Sequence, residues 1–362
     1  DVFEPIVNVL NEKKQYHVHV LGDESLDSDV TGIQAFTYDS KKEIYDEFYK
    51  ADLAFVSVGG NHLPAAAQSV ADIINTYGAQ KVVKNIIVCE NWRDAAETFK
   101  KPLMEALNDE NRKIFEEYVG ISEAVLMRTA TQPDEELAKK YPQDVWVQNF
   151  WYLPIDKSRL KGEIPEIKSV ELMDHFGNFL TQKMYTNNTS NAVIAYTGYL
   201  LGYDILADAA NSPEIQKLLD SAYKEINQTL EAELGVDPAQ QEAFAKKARA
   251  KYCDRVIVDK VIRHAKDPLR KLGPQDRLVA PCRMALKHGI YPKTLIDTIA
   301  KALYFDESTD ESAMKLKEMR QTYGVEYVLQ NVCELDKEEP LYAEVLKSVE
   351  EIKEQGLVKG HE

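Results

Sequence analysis

The strongest constraint in this chain is a rhythm of short apolar runs alternating with helix-like stretches over roughly its first 156 residues. "YHVHVLG" (16–22), "ADLAFVSVGG" (51–60), "NIIVCENW" (85–92), "EAVLMRTA" (123–130) and "VWVQNFWYLPID" (145–156) read as strands. The stretches 63–78 and 93–107 between them carry helical spacing. Near-continuous apolar runs suit strands buried on both faces, and helices between them are the crossovers that parallel strands need. The predicted fold of this part is α/β, a doubly wound parallel sheet.

From about residue 166 the rhythm changes. "VELMDHFGNFLTQKMY", "NAVIAYTGYLLGYDILADAA", "PEIQKLLDSAYKEINQTLEAEL" and "LIDTIAKALYF" all have helical spacing, so the second part is predicted to be mostly α-helical. The junction is placed at the polar, proline-bearing "KGEIPEIK" (161–168), which divides 1–165 from 166–362. Ligands of open α/β sheets bind outside the carboxyl ends of the strands. That singles out the loops "SVGGNH" (57–62), "CENW" (89–92) and "MRTATQP" (127–133). For each, a tight turn after a strand is the plain alternative.

The charge balance narrows the partners. Lys plus Arg is 44 and Asp plus Glu is 60, a net charge of −16. Such a surface repels nucleic acid and anionic membranes. No run approaches the ~18 apolar residues of a membrane span, and the N-terminus has no signal-peptide pattern. Cys89, Cys253, Cys282 and Cys333 form no C-x-x-C pair and read as reduced structural thiols. The expectation is a cytoplasmic protein, monomeric or weakly homo-oligomeric, acting on a small molecule.

The segment "TQKMYTNNTSNAVIAYTGYLLGY" (181–203) sets Lys183, Asn188 and Asn191 ahead of an apolar helical run. A lysine followed by amides is an odd way to build a core. A lysine snorkelling from a helix end beside capping asparagines is the plain alternative. The spacing resembles the K-x4-N-x2-H motif of the polyol-specific long-chain dehydrogenases. "DKVIRHAKDPLRKLGPQDRLVAPC" (259–282), "NIIVCEN" (85–91) and "FWYLPIDKSRLKGEIPEI" (150–167) resemble blocks of the mannitol-1-phosphate 5-dehydrogenase branch of that family, in the same order.

The resemblance implies an NAD-dependent oxidoreductase with a Rossmann-like first domain, interconverting mannitol 1-phosphate and fructose 6-phosphate. By resemblance, Lys183 is the general base. Desolvation can lower a lysine's pKa far enough for it to take the hydroxyl proton. Asn188 and Asn91 match amide donors for the oxygen as it gains negative charge, and Asn191 completes the catalytic set. Asp1, Val58, Gly59, Gly60 and Glu90 fall at cofactor-binding positions. Arg263, Arg270, Lys271 and Arg277 are candidates for the substrate phosphate, because guanidinium matches phosphate geometry. A solvated basic face is their plain alternative, and the sequence leaves open which of the four touches phosphate.

Three positions depart from the family pattern. The family opens with a strand, a Gly-rich turn and a helix ahead of the position of Asp1, so the Rossmann-like sheet is expected to be incomplete at its start and the chain part of a longer protein. The family histidine is Asn191 here, and the Asp that precedes the arginine in the family is Met127 here. These changes leave two other readings open: a reductase of another sugar, such as a hexuronate of the tagaturonate or fructuronate type, or a non-catalytic sugar-phosphate-binding relative. No metal is expected. His17 and His19 lie on one strand face, but two ligands do not close a site.

Overall fold

The computed structural model describes residues 3–91, 94–131, 133 and 135–361. The chain divides into two compact units between Phe179 and Leu180. In the first unit the described strands are β1 (Gln15–Leu21), β2 (Ser28–Thr31), β3 (Leu53–Val56), β4 (Lys84–Cys89), β5 (Val119–Ala124), β6 (Ala130–Thr131), β7 (Val145–Gln148), β8 (Leu153–Asp156) and β9 (Val170–Met173). They form two sheets, in the orders β2-β1-β7-β6 and β3-β4-β5-β8-β9.

The parallel core expected from the apolar runs is β3-β4-β5, with Ile86 opposite Ala54 on one side and Ile121 on the other. Helices α1 (Leu63–Tyr77) and α2 (Ala95–Ala106) connect these strands. Leu63, Phe99, Leu103 and Ile86 share one apolar cluster. The sheet is not wholly parallel, because β8 joins β5 antiparallel at Ala124↔Ile155.

Local pairing overrode the sequence pattern at three places. "EAVLMRTA" is strand only at its two ends: Glu123 and Ala124 close β5, which begins at Val119, and Ala130 opens β6. Polar residues disguise β5: Ser122 Oγ donates to the Asp156 carbonyl at 2.6 Å, and Glu123 Oε2 accepts the Ala96 N–H at 3.2 Å. "VWVQNFWYLPID" is two strands in different sheets, β7 and β8. "VELM", read with helical spacing, is β9, held parallel to β8 from Leu153↔Val170 to Asp156↔Met173.

The second unit is helical. Helix α3 (Phe176–Lys183) runs into a π-helical turn, Met184–Asn188, and then α4 (Thr189–Leu200). The helices packed around these include α5 (Leu206–Ala210), α6 (Pro213–Leu234), α7 (Pro238–Cys253), α8 (Val261–Ala265) and α9 (Lys293–Ala302). Ser212 and Asp237 cap α6 and α7 ahead of prolines in the first turn, their side chains accepting from the Ile215 and Gln240 N–H groups. Every residue of α4 from Thr189 to Gly198 is buried, so the helix is the centre of the unit, packed by α5, α6, α8 and α9. Gly198 permits the close approach of α5: a Cβ there would stand 2.9 Å from Ala209 Cβ. The fold is a Rossmann-like α/β unit followed by a helical unit. No helix among the described residues is long and apolar enough to cross a membrane.

Candidate active site

Lys183 is the last residue of α3, where the π turn begins. The turn explains the motif's spacing. On an α-helix, five residues rotate a side chain about 140° away from its starting face. In a π turn the repeat is i→i+5; here the Thr189 N–H donates to the Met184 carbonyl. Lys183 and Asn188 therefore return to the same side. Asn191 follows one α-helical step of three and shares a face with Asn188.

The turn is braced from neighbouring helices. Tyr252 Oη donates to the Asn187 carbonyl at 3.0 Å, and Gln241 Nε2 to Thr186 Oγ1 at 3.0 Å. Tyr223 Oη donates to Ser190 Oγ at 3.0 Å, and Ser190 Oγ to the Thr186 carbonyl at 2.7 Å. Among the described residues, Asn188 Nδ2 has only the Met184 sulfur as partner, at 3.0 Å. A thioether accepts weakly, so this amide keeps its donor capacity for another oxygen.

Burial first, and then the positive charges of Arg277 and Lys251, push the Lys183 ammonium down to about 8. Lys183 has no ion-pair partner among the described residues. The Lys251 ammonium is itself lowered by burial. Thr189 Oγ1 donates to the Arg277 carbonyl at 2.7 Å, which ties the Arg277 backbone to the start of α4.

Asn191 is 6% exposed. Its Nδ2 lies 2.9 Å from His264 Nδ1, and His264 Nε2 lies 2.8 Å from Asp259 Oδ2. The amide donates to Nδ1, so the imidazole carries its proton on Nε2 towards Asp259. Burial pushes the Asp259 carboxyl up, but His264 and Arg263 outweigh it and hold it below the ordinary range. An imidazole thus stands behind the position where the family motif has a histidine, brought from α8 rather than α4.

The four basic candidates separate. Arg277 is largely buried: its side chain is 13% exposed, it bonds Asp276 Oδ1 at 2.8 Å, and its charge acts on Lys183. Lys271 is buried, donates to the His264 carbonyl and is brought down to about 7, by burial first and then by Arg277 and Arg270. Arg270 pairs with Asp267 at 2.6 Å and Asp276 at 3.0 Å, half exposed. Arg263 is 66% exposed and pairs with Asp259 at 2.7 Å.

In the first unit, Val58, Gly59, Gly60, Glu90 and Asn91 follow the carboxyl ends of β3 and β4. Gly59 takes φ 84°, which glycine adopts without strain. Its N–H donates to Glu90 Oε1 at 2.6 Å, so Glu90 ties the two loops together. Asn91 is exposed. Met127 is buried, and Arg128 stacks on Trp151 at 4.2 Å while its Nε donates to the Gln148 carbonyl at 2.9 Å. Asp1 lies outside the described residues.

Sequence reasoning missed Lys251, His264 and Asp259. Lys251 sits among other lysines in "KKARAKYC" and carries no signal. His264 and Asp259 lie inside "DKVIRHA", where the charge pattern and the resemblance single out only Arg263.

Residues 1–169 match the mannitol dehydrogenase Rossmann domain, and residues 175–353 match the mannitol dehydrogenase C-terminal domain. Mannitol-1-phosphate 5-dehydrogenase of Bacillus subtilis (strain 168) is 33% identical over 96% of this chain and 91% of its own length. The enzyme of that name from Caldanaerobacter subterraneus subsp. tengcongensis is 28% identical over 98% and 91%. Among solved structures, a substrate-free D-sorbitol dehydrogenase matches with a TM-score of 0.77 at 15% identity, over 98% of this chain and 85% of that one. Pseudomonas fluorescens mannitol 2-dehydrogenase, in a complex with NAD and D-mannitol, matches at 0.69 with 14% identity, over 99% and 85%. These two likenesses concern the fold. The family models and the relatives define an NAD-dependent polyol dehydrogenase. The chain belongs to the mannitol dehydrogenase family.

Proposed function

We propose that the chain interconverts mannitol 1-phosphate and fructose 6-phosphate. The observation that carries this reading is the gathering of Lys183, Lys251 and Arg277 in the helical unit of a chain with net charge −16. Like charges brought together out of water destabilise one another, and a substrate anion beside the Arg277–Asp276 pair offsets that cost. A phosphorylated polyol supplies that anion; a neutral polyol does not. The names of the curated relatives support the same substrate pair.

Lys183 takes the hydroxyl proton during oxidation and returns it during reduction. With its pKa brought down to about 8, a useful fraction is neutral at neutral pH. Asn188 Nδ2 stabilises the oxygen as it becomes anionic, and the family resemblance gives Asn91 the same role. Asn191 orients the hydroxyl with its amide, and His264 is a positioning residue that fixes which end of that amide is presented. Arg277 and Lys251 receive the phosphate, with Lys271 and Arg270 behind Arg277.

Bound NAD supplies the hydride acceptor. The loops after β3 and β4 fit a dinucleotide: Gly59 puts no side chain between its backbone and a ligand, and Glu90 spends one carboxylate oxygen on the Gly59 N–H, leaving the other to accept ribose hydroxyls. Val58, Gly59, Gly60 and Glu90 would hold it, with Asp1 as the acidic residue matched by resemblance.

The test is NADH formation by the active enzyme with mannitol 1-phosphate, free mannitol and the hexuronate-derived polyols side by side. Mannitol 1-phosphate should be turned over best. Preference for a hexuronate product would move the assignment to that branch, and no turnover of any of them would favour a non-catalytic sugar-phosphate binder.

A further inference from the structure

We propose that His17, His19 and Asp27 in the first unit form a binding site for a divalent transition metal of the zinc class. The sequence supplies two imidazoles on one face of β1, because residues two apart on a strand point the same way. The structure adds the third ligand. Asp27 lies in the turn just before β2, and its Oδ1 accepts the Val20 N–H at 2.7 Å, which fixes the carboxylate beside the strand. Its Oδ2 then stands 3.4 Å from His17 Nε2 and 3.6 Å from His19 Nδ1. Ligands on a tetrahedral zinc, with bonds of ~2.0–2.1 Å, stand about 3.3–3.4 Å apart. The candidate atoms of all three residues fall within 4.8 Å of one another.

The surroundings match what a metal-bound imidazole needs. A ligating histidine usually gives its other N–H to a carboxylate. His17 Nδ1 faces Asp29 Oδ1 at 2.7 Å, set by the β1–β2 register that puts His17 opposite Asp29. His19 Nε2 faces Asp144 Oδ2 at 3.6 Å and is a buried nitrogen without a hydrogen-bond partner. A metal on Nδ1 places the His19 proton on Nε2, where this carboxylate can draw in to accept it. Asp144 is held in turn, its Oδ1 accepting the His17 backbone N–H at 3.0 Å. The His19 ring is fixed by stacking on Trp146, with centroids 4.5 Å apart.

Charge points the same way. Asp27, Asp29 and Asp144 surround two imidazoles, and no lysine or arginine pairs with them among the described residues. With neutral imidazoles the cluster carries three uncompensated negative charges, which a divalent cation offsets. Imidazole with carboxylate suits zinc, and three protein ligands leave one position for water. The ligand side chains are a fifth to a third exposed, so an ion can enter. Bound there, it would staple β1 to the turn that leads into β2.

The site is remote in sequence from Lys183 and is tested without turnover. Metal-free full-length chain is titrated with zinc chloride by calorimetry, and with cobalt(II) chloride by visible absorption. The expected result is one ion per chain, a low-coordinate cobalt spectrum, and a rise in Tm with zinc. Asp29→Asn should weaken zinc binding roughly ten- to a hundredfold. Asp27→Asn should weaken it further and abolish the cobalt spectrum, while its amide oxygen can still accept the Val20 N–H and keep the turn. No stoichiometric binding by the wild type overturns the proposal. So does binding that Asp27→Asn and His19→Ala both leave unchanged, which would put the ion elsewhere, as at His288 and Glu233, 2.6 Å apart.

Discussion

Asn191 Nδ2 lies 2.9 Å from His264 Nδ1, and through that imidazole the amide is connected to Asp259. An asparagine amide can turn over and exchange its donor and acceptor ends; this contact removes the choice. His264→Ala should lower kcat about tenfold, the cost of a buried amide left unpaired being ~1–3 kcal/mol, with a smaller change in KM. His264→Gln, which retains an acceptor, should recover most of the loss. Steady-state kinetics of the two variants checks this, and equal damage in both would reduce His264 to a packing role.

Proton affinity at Lys183 gives the second prediction. Oxidation needs the neutral amine, so its kcat/KM should rise with pH through a limb near pH 8 and then level, while reduction should fall over the same range. Arg277→Ala removes a positive charge that holds the value down, so the limb should move to higher pH. A profile flat from pH 6 to 10 would contradict the assignment.

The same burial has a cost in stability. The Lys183 pKa is 10.5 before burial and about 8 after, so the folded state disfavours the charged form. The penalty is complete below pH 8, shrinks as the folded protein loses the proton above it, and is gone by the unfolded value. Lys183→Met should therefore raise the urea midpoint at pH 7, with little gain near pH 10. Its turnover should fall by ~10²–10⁴-fold. Lower stability of this variant at pH 7, with turnover retained, would mark Lys183 as a structural residue.

Packing around α4 gives a prediction that leaves the chemistry aside. A methyl at Gly198 would stand 2.9 Å from Ala209 Cβ, too close for both helices to stay in place. Gly198→Ala should cost ~1–3 kcal/mol of stability by overpacking. Urea denaturation measures it.

The legible parts of this molecule were those set by local pattern. Apolar runs marked β3, β4 and the parallel core, and helical spacing marked the run that begins α6 at Pro213. Lys183, Asn188 and Asn191 were legible as a motif, although the π turn that reconciles their spacing was not, because nothing in "MYTNN" announces an i→i+5 repeat. Val119–Ala124 was misplaced because Ser122 and Glu123 look exposed in sequence and are buried with partners. His264 and Lys251 were missed because their meaning lies in contacts with residues dozens of positions away.

The substrate claim rests on Arg277 and Lys251, and it is tested most directly by one ratio: kcat/KM for mannitol 1-phosphate over kcat/KM for free mannitol, in the active wild-type enzyme and in Arg277→Ala. Two charge-assisted contacts of ~1.5–3 kcal/mol each predict a wild-type ratio of about a hundred or more. Losing Arg277 should cut that ratio by roughly ten- to a hundredfold, while Arg263→Ala, whose guanidinium is exposed and paired with Asp259, leaves it unchanged. A wild-type ratio near one, or the same ratio in Arg277→Ala, would contradict the phosphate site and with it the assignment to mannitol 1-phosphate.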